Sequence, residues 1–323
     1  MEKLSALAID LYERNYGNYS KETLDTTIRE EFIKLCGTDK IDYKTMRKWK
    51  PEVFTIIEET LSVLIGRTIE AQFASMAEYR NLSWGDTNIF NLPNPNLFKV
   101  AIVADGTGNI RRQRLFNGQM TVTPVVRAIK IYEEFYRFLA GKIDWTALVT
   151  KVGQSYTNNI YTGVYNAIFN YYSSLSSTYG ITGAFNGTTL DTLIEDVEAA
   201  NNANAVIYGT KSALGRITNG KESPSMQDAY NTQGYFGVYN GTPMQKIQNS
   251  HINGTETLAV DRNFLLVIPQ GDEKLVKIVD EGTAIIQETN GGINADFSLE
   301  YMFSQKCGVA LITASKFGMY KLL

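Results

Sequence analysis

The first strong pattern along the chain is helical. Val53, Ile56, Ile57, Leu61, Leu64 and Ile65 recur at three- and four-residue spacing, with charges filling the positions between them. That spacing lays one apolar stripe along one side of a helix. Pro51 stands where a first-turn proline belongs. Residues 1 to about 80 are therefore predicted to be helical, and the pattern ends at Asn81-Leu82-Ser83-Trp84-Gly85-Asp86. Pro93 and Pro95 then make a stiff extended linker.

The period next shortens to two. Phe98 to Ala104, "FKVAIVA", reads as a strand by its β-branched content, and "DGTGN" follows as a turn. Asn117-Gly118 is a second turn signal, and Met120 to Thr123 alternate like a strand. Two strands around a basic, glycine-punctuated middle predict a long projecting hairpin. A second helical period then sets in. Leu148, Val152, Tyr156, Ile160, Val164, Ile168, Tyr172 and Leu175 keep near-helical spacing behind Asp144, a candidate N-cap. This predicts one helix of roughly 30 residues, against about 11–12 for an average helix. Gly153 and Gly163 lie inside it at a cost of about 1 kcal/mol each relative to alanine, which points to another element approaching closely there.

From Gly180 to about Asp261 the composition turns to Gly, Asn, Thr and Ser. A short helix is predicted from Thr189 to Ala200, with Thr188 and Asp191 in capping-box spacing. The strand "AVIYG" and a helix-like "KSALGRI" follow. From Asn263 onward the chain is strand-rich: "FLLVIP", "KLVKIVDEG", "TAIIQETN", "FSLEYMFSQKCGVALIT" and "KFGMYKL", with turns at Gly271-Asp272 and Asn290-Gly291-Gly292. There is no internal repeat. One run, Gly234 to Met244 ("GYFGVYNGTPM"), is uncharged. Its residues alone fit a ligand loop, a phosphate cradle or a tightly turned hairpin.

Composition narrows the choice. At 323 residues and 44% hydrophobic the chain can bury a real core in one or two domains. Lys+Arg of 31 against Asp+Glu of 34 gives a net charge of -3, which argues against a protein that coats nucleic acid by general attraction. Cys36 and Cys307 are far apart, which argues against zinc, and read as buried free thiols; with His251 the only histidine, a His–His metal site or a histidine relay within one chain is nearly excluded. No apolar run reaches the roughly 18 residues of a membrane helix. The start, "MEKLSALAIDLYERN", lacks the uninterrupted apolar core of a signal peptide. Tyrosine, at 19, and abundant Asn and Thr suit rigid polar contact surfaces better than acid–base chemistry.

Several motifs tempt. "VAIVADGTGNIRR" runs a strand into Gly106-x-Gly108, but the dinucleotide fingerprint needs a third glycine where Arg111 stands, and a helix after it. Gly209-Thr210-Lys211-Ser212 lacks the upstream glycine of a phosphate loop and reads as a strand-to-helix turn. Asp280-Glu281-Gly282 reads as a hairpin corner rather than a catalytic carboxylate pair, and Glu300 as a charge on the solvent side of a strand. Asn240-Gly241-Thr242 and Asn253-Gly254-Thr255 match the glycosylation pattern only formally. Arg111, Arg112 and Arg114 form the densest basic cluster. On a projecting hairpin they could bind nucleic acid or pair with carboxylates of a neighbouring subunit, and the enrichment of arginine at interfaces favours the second.

The order of these elements, with these residues, resembles the major capsid protein of tailed double-stranded DNA phages, the Hong-Kong-phage-type (Johnson) fold. "NIRRQRLFNGQMTVTP" resembles that family's extended loop, and "IKIYEEFYRFLAGKIDWTALVTKV" its lead-in and spine helix. "AVIYGTKSAL" and "GYFGVYNGTPM" resemble its axial domain, and "VKIVDEG" with "FSLEYMFSQKCGVAL" its closing strands. The likeness runs from about Trp84 to Leu323.

The resemblance implies an α+β fold in these parts: an N-terminal helical arm and linker over 1–95, an extended loop over 96–128, a peripheral domain over 129–185 and 262–323 with its spine helix at 144–176, and an axial domain over 186–261. It implies a structural protein, not an enzyme, with no cofactor, no metal and no membrane. Copies of the chain would assemble through pentamers and hexamers into an icosahedral shell around phage DNA. Scaffolding, portal and decoration proteins are further partners, and packaged DNA touches the shell only by weak non-specific contact. The protein would sit in the virion after assembly in the host bacterial cytoplasm. Arg111, Arg112, Arg114, Tyr235, Phe236 and Tyr239 are the expected intersubunit contacts, with "GYFGVYNGTPM" a structural strand-turn segment around a symmetry axis. Family members that cross-link do so through a lysine in the extended loop. Asp105 to Pro124 holds none, so that chemistry is not expected. The arm is expected to be kept in the assembled protein rather than cleaved. An encapsulin-like nanocompartment around a cargo enzyme shares the fold and stays open as an alternative. A nucleotide-binding α/β enzyme and a tail-tube protein are further rivals.

Overall fold

The central helix forms where the apolar period places it. α2 spans Trp145–Tyr171 and ends in a 3₁₀ turn, Tyr172–Ser174. Its stripe of Val152, Tyr156, Ile160, Val164 and Ile168 is buried. Of the two internal glycines, Gly163 marks a tight approach and Gly153 an ordinary contact. A Cβ on Gly153 would lie 3.6 Å from Leu61, and one on Gly163 3.3 Å from the guanidinium of Arg127. The computed structural model describes residues 61–71, 73–92, 97–106, 108, 110–114, 117–134, 145–217, 224–271, 273–288, 298–312 and 315–323, together with 30, 34, 55, 58 and 59. The proline signals at Pro51, Pro93 and Pro95, the cap at Asp144, Cys36 and the turn at 290–292 lie outside these residues.

The N-terminal region does not stay helical to residue 80. α1 covers residues 61–71, and β1 follows as a strand, Ala77–Leu82. β1 pairs in parallel with β10 (Val276–Glu288), with Ala77 opposite Val276. A ladder about 200 residues downstream in sequence decides its conformation, which local propensity does not see. Leu61, Ile65, Ile69, Phe73, Met76 and Ala77 belong to the same core as the buried face of α2. The end of the presumed arm is thus part of the central packing.

Two main sheets flank α2. The first has the order β1-β10-β11-β4, with β4 at Val125–Glu134 and β11 at Ser298–Leu311. β10 corrects the sequence reading, since Asp280-Glu281-Gly282 is no hairpin corner. The strand runs straight through, with a register shift between Glu281 and Ile285. Gly282 sits there at φ 75, and a Cβ on it would fall 2.1 Å from the Trp84 indole. A bulge at a glycine bends a strand without ending it.

The second sheet has the order β5-β12-β9-β6-β8-β7. Its strands are β5 Gly180–Gly183, β6 Ala205–Gly209, β7 Val238–Tyr239, β8 Thr242–Lys246, β9 Phe264–Pro269 and β12 Gly318–Leu322. Its middle is apolar on both faces. Val206, Tyr208, Phe264, Leu266 and Ile268 join the α2 core. Ala205, Ile207, Leu265 and Val267 face a second core with α3, Gly187–Asn201. That two-sided burial is why "AVIYG" and "FLLVIP" read as continuous apolar runs. The expected boundary between residues 261 and 262 therefore passes through one hydrogen-bonded sheet, between β6 and β9.

Local signals need two further corrections. The cap of α3 is Asn186, whose side chain accepts from the Thr188 N–H, not a Thr188–Asp191 box. Asp191 instead accepts from Asn240 Nδ2 at 3.0 Å. α4, Lys211–Leu214, follows β6 as expected, but α5, Pro224–Gln233, was unforeseen. Its sequence, PSMQDAYNTQ, carries no apolar stripe for periodicity to detect.

The uncharged run becomes a hairpin. Tyr239 pairs with Thr242, and Asn240 and Gly241 between them hold φ 46 and 88. Positive φ at both central residues defines the turn favoured between tightly paired strands. Space around Gly241 is open, so a substitution there tests backbone conformation alone. Gly241→Val is expected to cost about 1–3 kcal/mol in denaturant unfolding, from forcing a β-branched residue into the left-handed region.

Candidate interaction surface

The predicted projecting hairpin has a built root and a bare tip. At the root, β2 (Phe90–Leu92) pairs antiparallel with β3 (Gly118–Met120). The buried side chain of Asn88 extends that ladder: its Nδ2 donates to the Val122 carbonyl and its Oδ1 accepts the Val122 N–H, each at 2.7 Å. Phe90 and Val122 pack on Val279 of the first sheet, and the Arg80 guanidinium lies 4.1 Å from the centre of the Phe90 ring.

Beyond the root no ladder continues among the described residues. The stretch expected as a strand from Phe98 to Ala104 forms no strand pairing among the described residues. Its composition is that of a strand, but a strand needs a partner for its backbone groups, and among the described residues this stretch has one side-chain substitute. Gln113 Oε1 accepts the Lys99 N–H at 2.8 Å, and Gln113 Nε2 donates to the Lys99 carbonyl at 2.7 Å. The turn falls at Asp105-Gly106, where Gly106 takes φ +83. Val100 is 93% exposed and Ile102 102%, and Leu97, Phe98 and Val103 are exposed beside them. Arg111, Arg112 and Arg114 lie exposed on the returning side. The three arginines and this apolar segment therefore share one projection. Sequence reasoning named the arginines but missed the apolar residues, because it assigned them to a paired strand.

The second group of expected contacts sits differently. Phe236 and Tyr239 are 5% and 1% exposed, inside the core of the second sheet, and Tyr235 is partly buried against it. The Tyr239 hydroxyl donates to the Gly187 carbonyl at 3.4 Å. Burial first, and Asp191 beside it, push the phenol up to about 12. Phe236 and Tyr239 are thus corrected from surface contacts to core residues. Within the uncharged run Phe236, Tyr239, Thr242 and Met244 are buried, while Gly237, Val238, Asn240, Gly241 and Pro243 are exposed.

The motifs with catalytic overtones resolve into structure. After Gly106 and Gly108 the described chain is exposed and non-helical through 110–114, the Ile110 N–H donating to the Gly108 carbonyl at 3.2 Å, with no helix N-terminus to receive a phosphate. Thr210 caps α4, its hydroxyl accepting the Ala213 N–H at 3.2 Å. The Lys211 stem covers Gly234, where a Cβ would meet Cε at 2.2 Å.

Two buried charges escaped the sequence reading. Lys277, 1% exposed, donates to Glu78 and, at 3.1 Å, to Glu273. Burial would raise the Glu78 carboxyl, but hydrogen bonds and charge from Lys277 and Arg80 together hold it below the usual range. Asp280 is also 1% exposed, and its Oδ2 accepts from Tyr79 at 2.7 Å and from Gln305 at 3.2 Å. Burial pushes its pKa up, outweighing the hydrogen bonds from Cys307 and Tyr79 and the charge of Arg127. Cys307, opposite Asp280 in the ladder, is raised by burial and by Asp280, which leaves an inert thiol. The one available signal was that both charges interrupt an apolar strand run.

Asp280 makes a pH prediction. Its folded pKa lies above the ordinary value of 3.8, so the folded chain holds the proton more tightly than the unfolded one. The ionised form then costs stability, a cost absent below the unfolded pKa and growing as pH rises through the folded one. Asp280→Asn is expected to gain on wild type in melting temperature between pH 4 and pH 7, roughly in step with that ionisation. Parallel melting curves for the two proteins would contradict this.

Among the described residues no helix is long and apolar enough to cross a membrane. A family model described as "SPbeta prophage-derived putative capsid protein YonB" matches residues 3–321. No curated protein sequence matches the chain. Among solved structures, the mature capsid of bacteriophage PhiM1 aligns with TM-score 0.54 at 11% identity, over 77% of this chain and 86% of that one. The procapsid of satellite phage P4, solved with its size determination protein, aligns with TM-score 0.50 at 11% identity, over 80% and 89%. The capsid of an empty GTA particle aligns with TM-score 0.50 at 10% identity, over 78% and 89%. At such identities the shared property is the fold, the mixed α+β phage-capsid fold that the order of elements resembled.

Proposed function

This chain belongs to the YonB family of SPbeta prophage-derived capsid proteins and is a shell-forming structural protein; on that premise we propose that it assembles through pentamers and hexamers into the icosahedral shell around phage double-stranded DNA. Its role is mechanical rather than catalytic. α2 stiffens the subunit as the spine. Residues 96–128 reach over a neighbour as the extended loop; 129–185 and 262–323 supply the peripheral part and 186–261 the axis-facing part, the two joined through the single sheet in which β6 pairs with β9. Head-to-tail contacts that close make rings of five and six. Scaffolding, portal and decoration proteins would complete the particle, which assembles in the host cytoplasm.

One observation carries this reading: the loop whose root is clamped to the first sheet and whose tip is bare, apolar and arginine-rich. Monomeric soluble proteins rarely expose a contiguous apolar patch of that kind, and such patches mark association sites. The test is to express the chain alone and image it by negative-stain microscopy alongside light scattering. Closed shells, tubes, or rings of five and six are expected. A monomer or dimer that also bound nucleotide would overturn the reading. The contents of any shells, DNA or a cargo enzyme, would separate the phage role from a nanocompartment.

A further inference from the structure

Three buried polar atoms share one row on the face of the first sheet that α2 covers. Arg127 on β4 lies directly opposite Gln305 on β11. Asp280 on β10 lies opposite Cys307, two residues from Gln305 and so on the same face. Phe303 and Cys307, which alternate with that face, belong to the core that includes the buried side of α2. Arg127 Nε, Gln305 Oε1 and Asp280 Oδ1 are buried, and among the described residues none has a nitrogen or oxygen partner. The Cys307 thiol beside Asp280 is only a weak donor. Folded chains leave few such atoms unpaired, so three on one face need a physical reason.

None of the three can turn to meet another, because the rest of each polar group is already held. The Arg127 guanidinium donates through Nη1 to the side chain of Asn159 on α2 and, at 3.4 Å, to its carbonyl. Its Nη2 lies beneath Gly163, where a Cβ would come within 3.3 Å. Gln305 Nε2 donates to Asp280 Oδ2 at 3.2 Å, and turning the amide over would set Oε1 against that oxygen. Oδ2 also accepts from the Tyr79 hydroxyl at 2.7 Å. The bulge between Glu281 and Ile285 leaves Gln305 without a partner on β10, which opens the ladder at this point.

We propose that this row binds one buried water molecule, which accepts from Arg127 Nε and donates to Gln305 Oε1 and Asp280 Oδ1. The donor count selects the ligand. One unpaired N–H and two unpaired oxygens call for a neutral group with one acceptor and two donors. A metal ion would face the guanidinium charge, and an anion would face two oxygens. Buried waters typically make about three hydrogen bonds to groups of this kind. Protonation of Asp280 does not displace it. Oδ2 already receives two donors, so the proton sits on Oδ1 and points to the same water. The water completes a chain of hydrogen bonds from Asn159 on α2 through Arg127, Gln305 and Asp280 to Tyr79 on β1, across all four strands of the sheet. It anchors the central helix to the sheet in the free chain and in any assembly.

The first test uses wild-type protein. A map at about 2 Å, from the free chain or from particles, should show one peak within about 2.7–3.2 Å of all three atoms. Gln305 Oε1 in direct contact with Arg127 Nε or Asp280 Oδ1, or no peak between them, overturns the proposal. A peak closer than about 2.5 Å to the two oxygens would be a metal ion and overturns it too. The second test is Gln305→Leu, which removes one acceptor of the water and one donor to Asp280. Amides of α2 over residues 159–166 should exchange about tenfold faster, while those of α3 keep the wild-type rate. Unchanged exchange in α2 overturns the anchoring role. Equal acceleration of α2 and α3 does so as well, because it reports a general loss of stability. Neither test needs particles to form, so a failure here leaves the shell-forming reading standing.

Discussion

Changing Arg111, Arg112 and Arg114 together to glutamate is expected to abolish particle formation while leaving the fold of the free chain intact. The three sit exposed on loop chain that belongs to neither main sheet. Exposed substitutions away from packed features move stability by about ±0.5 kcal/mol. Across an interface the same change acts differently. Arginines facing carboxylates would become like charges, and such juxtapositions cost several kcal/mol. In a closed shell the loss recurs at every copy of the contact. Light scattering and microscopy should show no particles, while the melting transition stays near that of wild type. Particles at wild-type yield would remove the arginines from the contact. A large drop in melting temperature would instead make them folding residues. Lower salt should partly rescue single substitutions if the contact is electrostatic, because exposed charges are screened over about 10 Å at 0.1 M.

The second large effect concerns Phe73. Its ring is 2% exposed and lies 4.9 Å and 6.0 Å, centre to centre, from Tyr161 and Tyr165 on α2. Phe73→Ala is expected to cost about 3–5 kcal/mol, the transfer of an aromatic side chain plus the cavity left against two rings that cannot both collapse into it. Chemical denaturation of the unassembled chain measures this directly. The result separates two pictures of the N-terminal region. If residues 61–82 were a detachable arm, alanine would cost under about 1 kcal/mol, as at surface sites. A loss of several kcal/mol would show them to be structural core. An assembly defect would then follow from instability rather than from a missing arm contact.

How far the sequence reached depended on whether a signal was local. The α2 stripe repeats over 27 residues, so a period of 3.6 declares itself without knowledge of what covers it. Asn240-Gly241 makes its turn cheaply, because two consecutive positive φ values suit such residues, although the residues of that run alone left a loop, a cradle and a hairpin open. The runs "AVIYG" and "FLLVIP" announce strands buried on both faces. These local signals, with their order, were enough for the fold class and its resemblance to phage capsid proteins.

Other features depend on partners distant in sequence. Ala77–Leu82 became a strand because β10 lies alongside it. Asp280-Glu281-Gly282 became a bulge because β11 continues past it on the far side. Phe98 to Ala104 has a strand's composition and no ladder, because none of the described residues pairs with it. The rings of Phe236 and Tyr239 turned inward because α3 and the second sheet leave room for them. α5 stayed hidden because a polar, surface-lying helix leaves no stripe to read.

The sequence by itself determined the helices and turns whose conformation is cheapest for their own residues, and the apolar strands that any core would bury. Tertiary structure decided which strands found partners, which charges were buried, and which apolar segment was left bare. Those outcomes are set by hydrogen bonds and packing between residues up to about 200 positions apart, as for Ala77 and Val276. Local propensity is a weak prior against such long-range pairing, which rewards a strand only once its neighbour is in place.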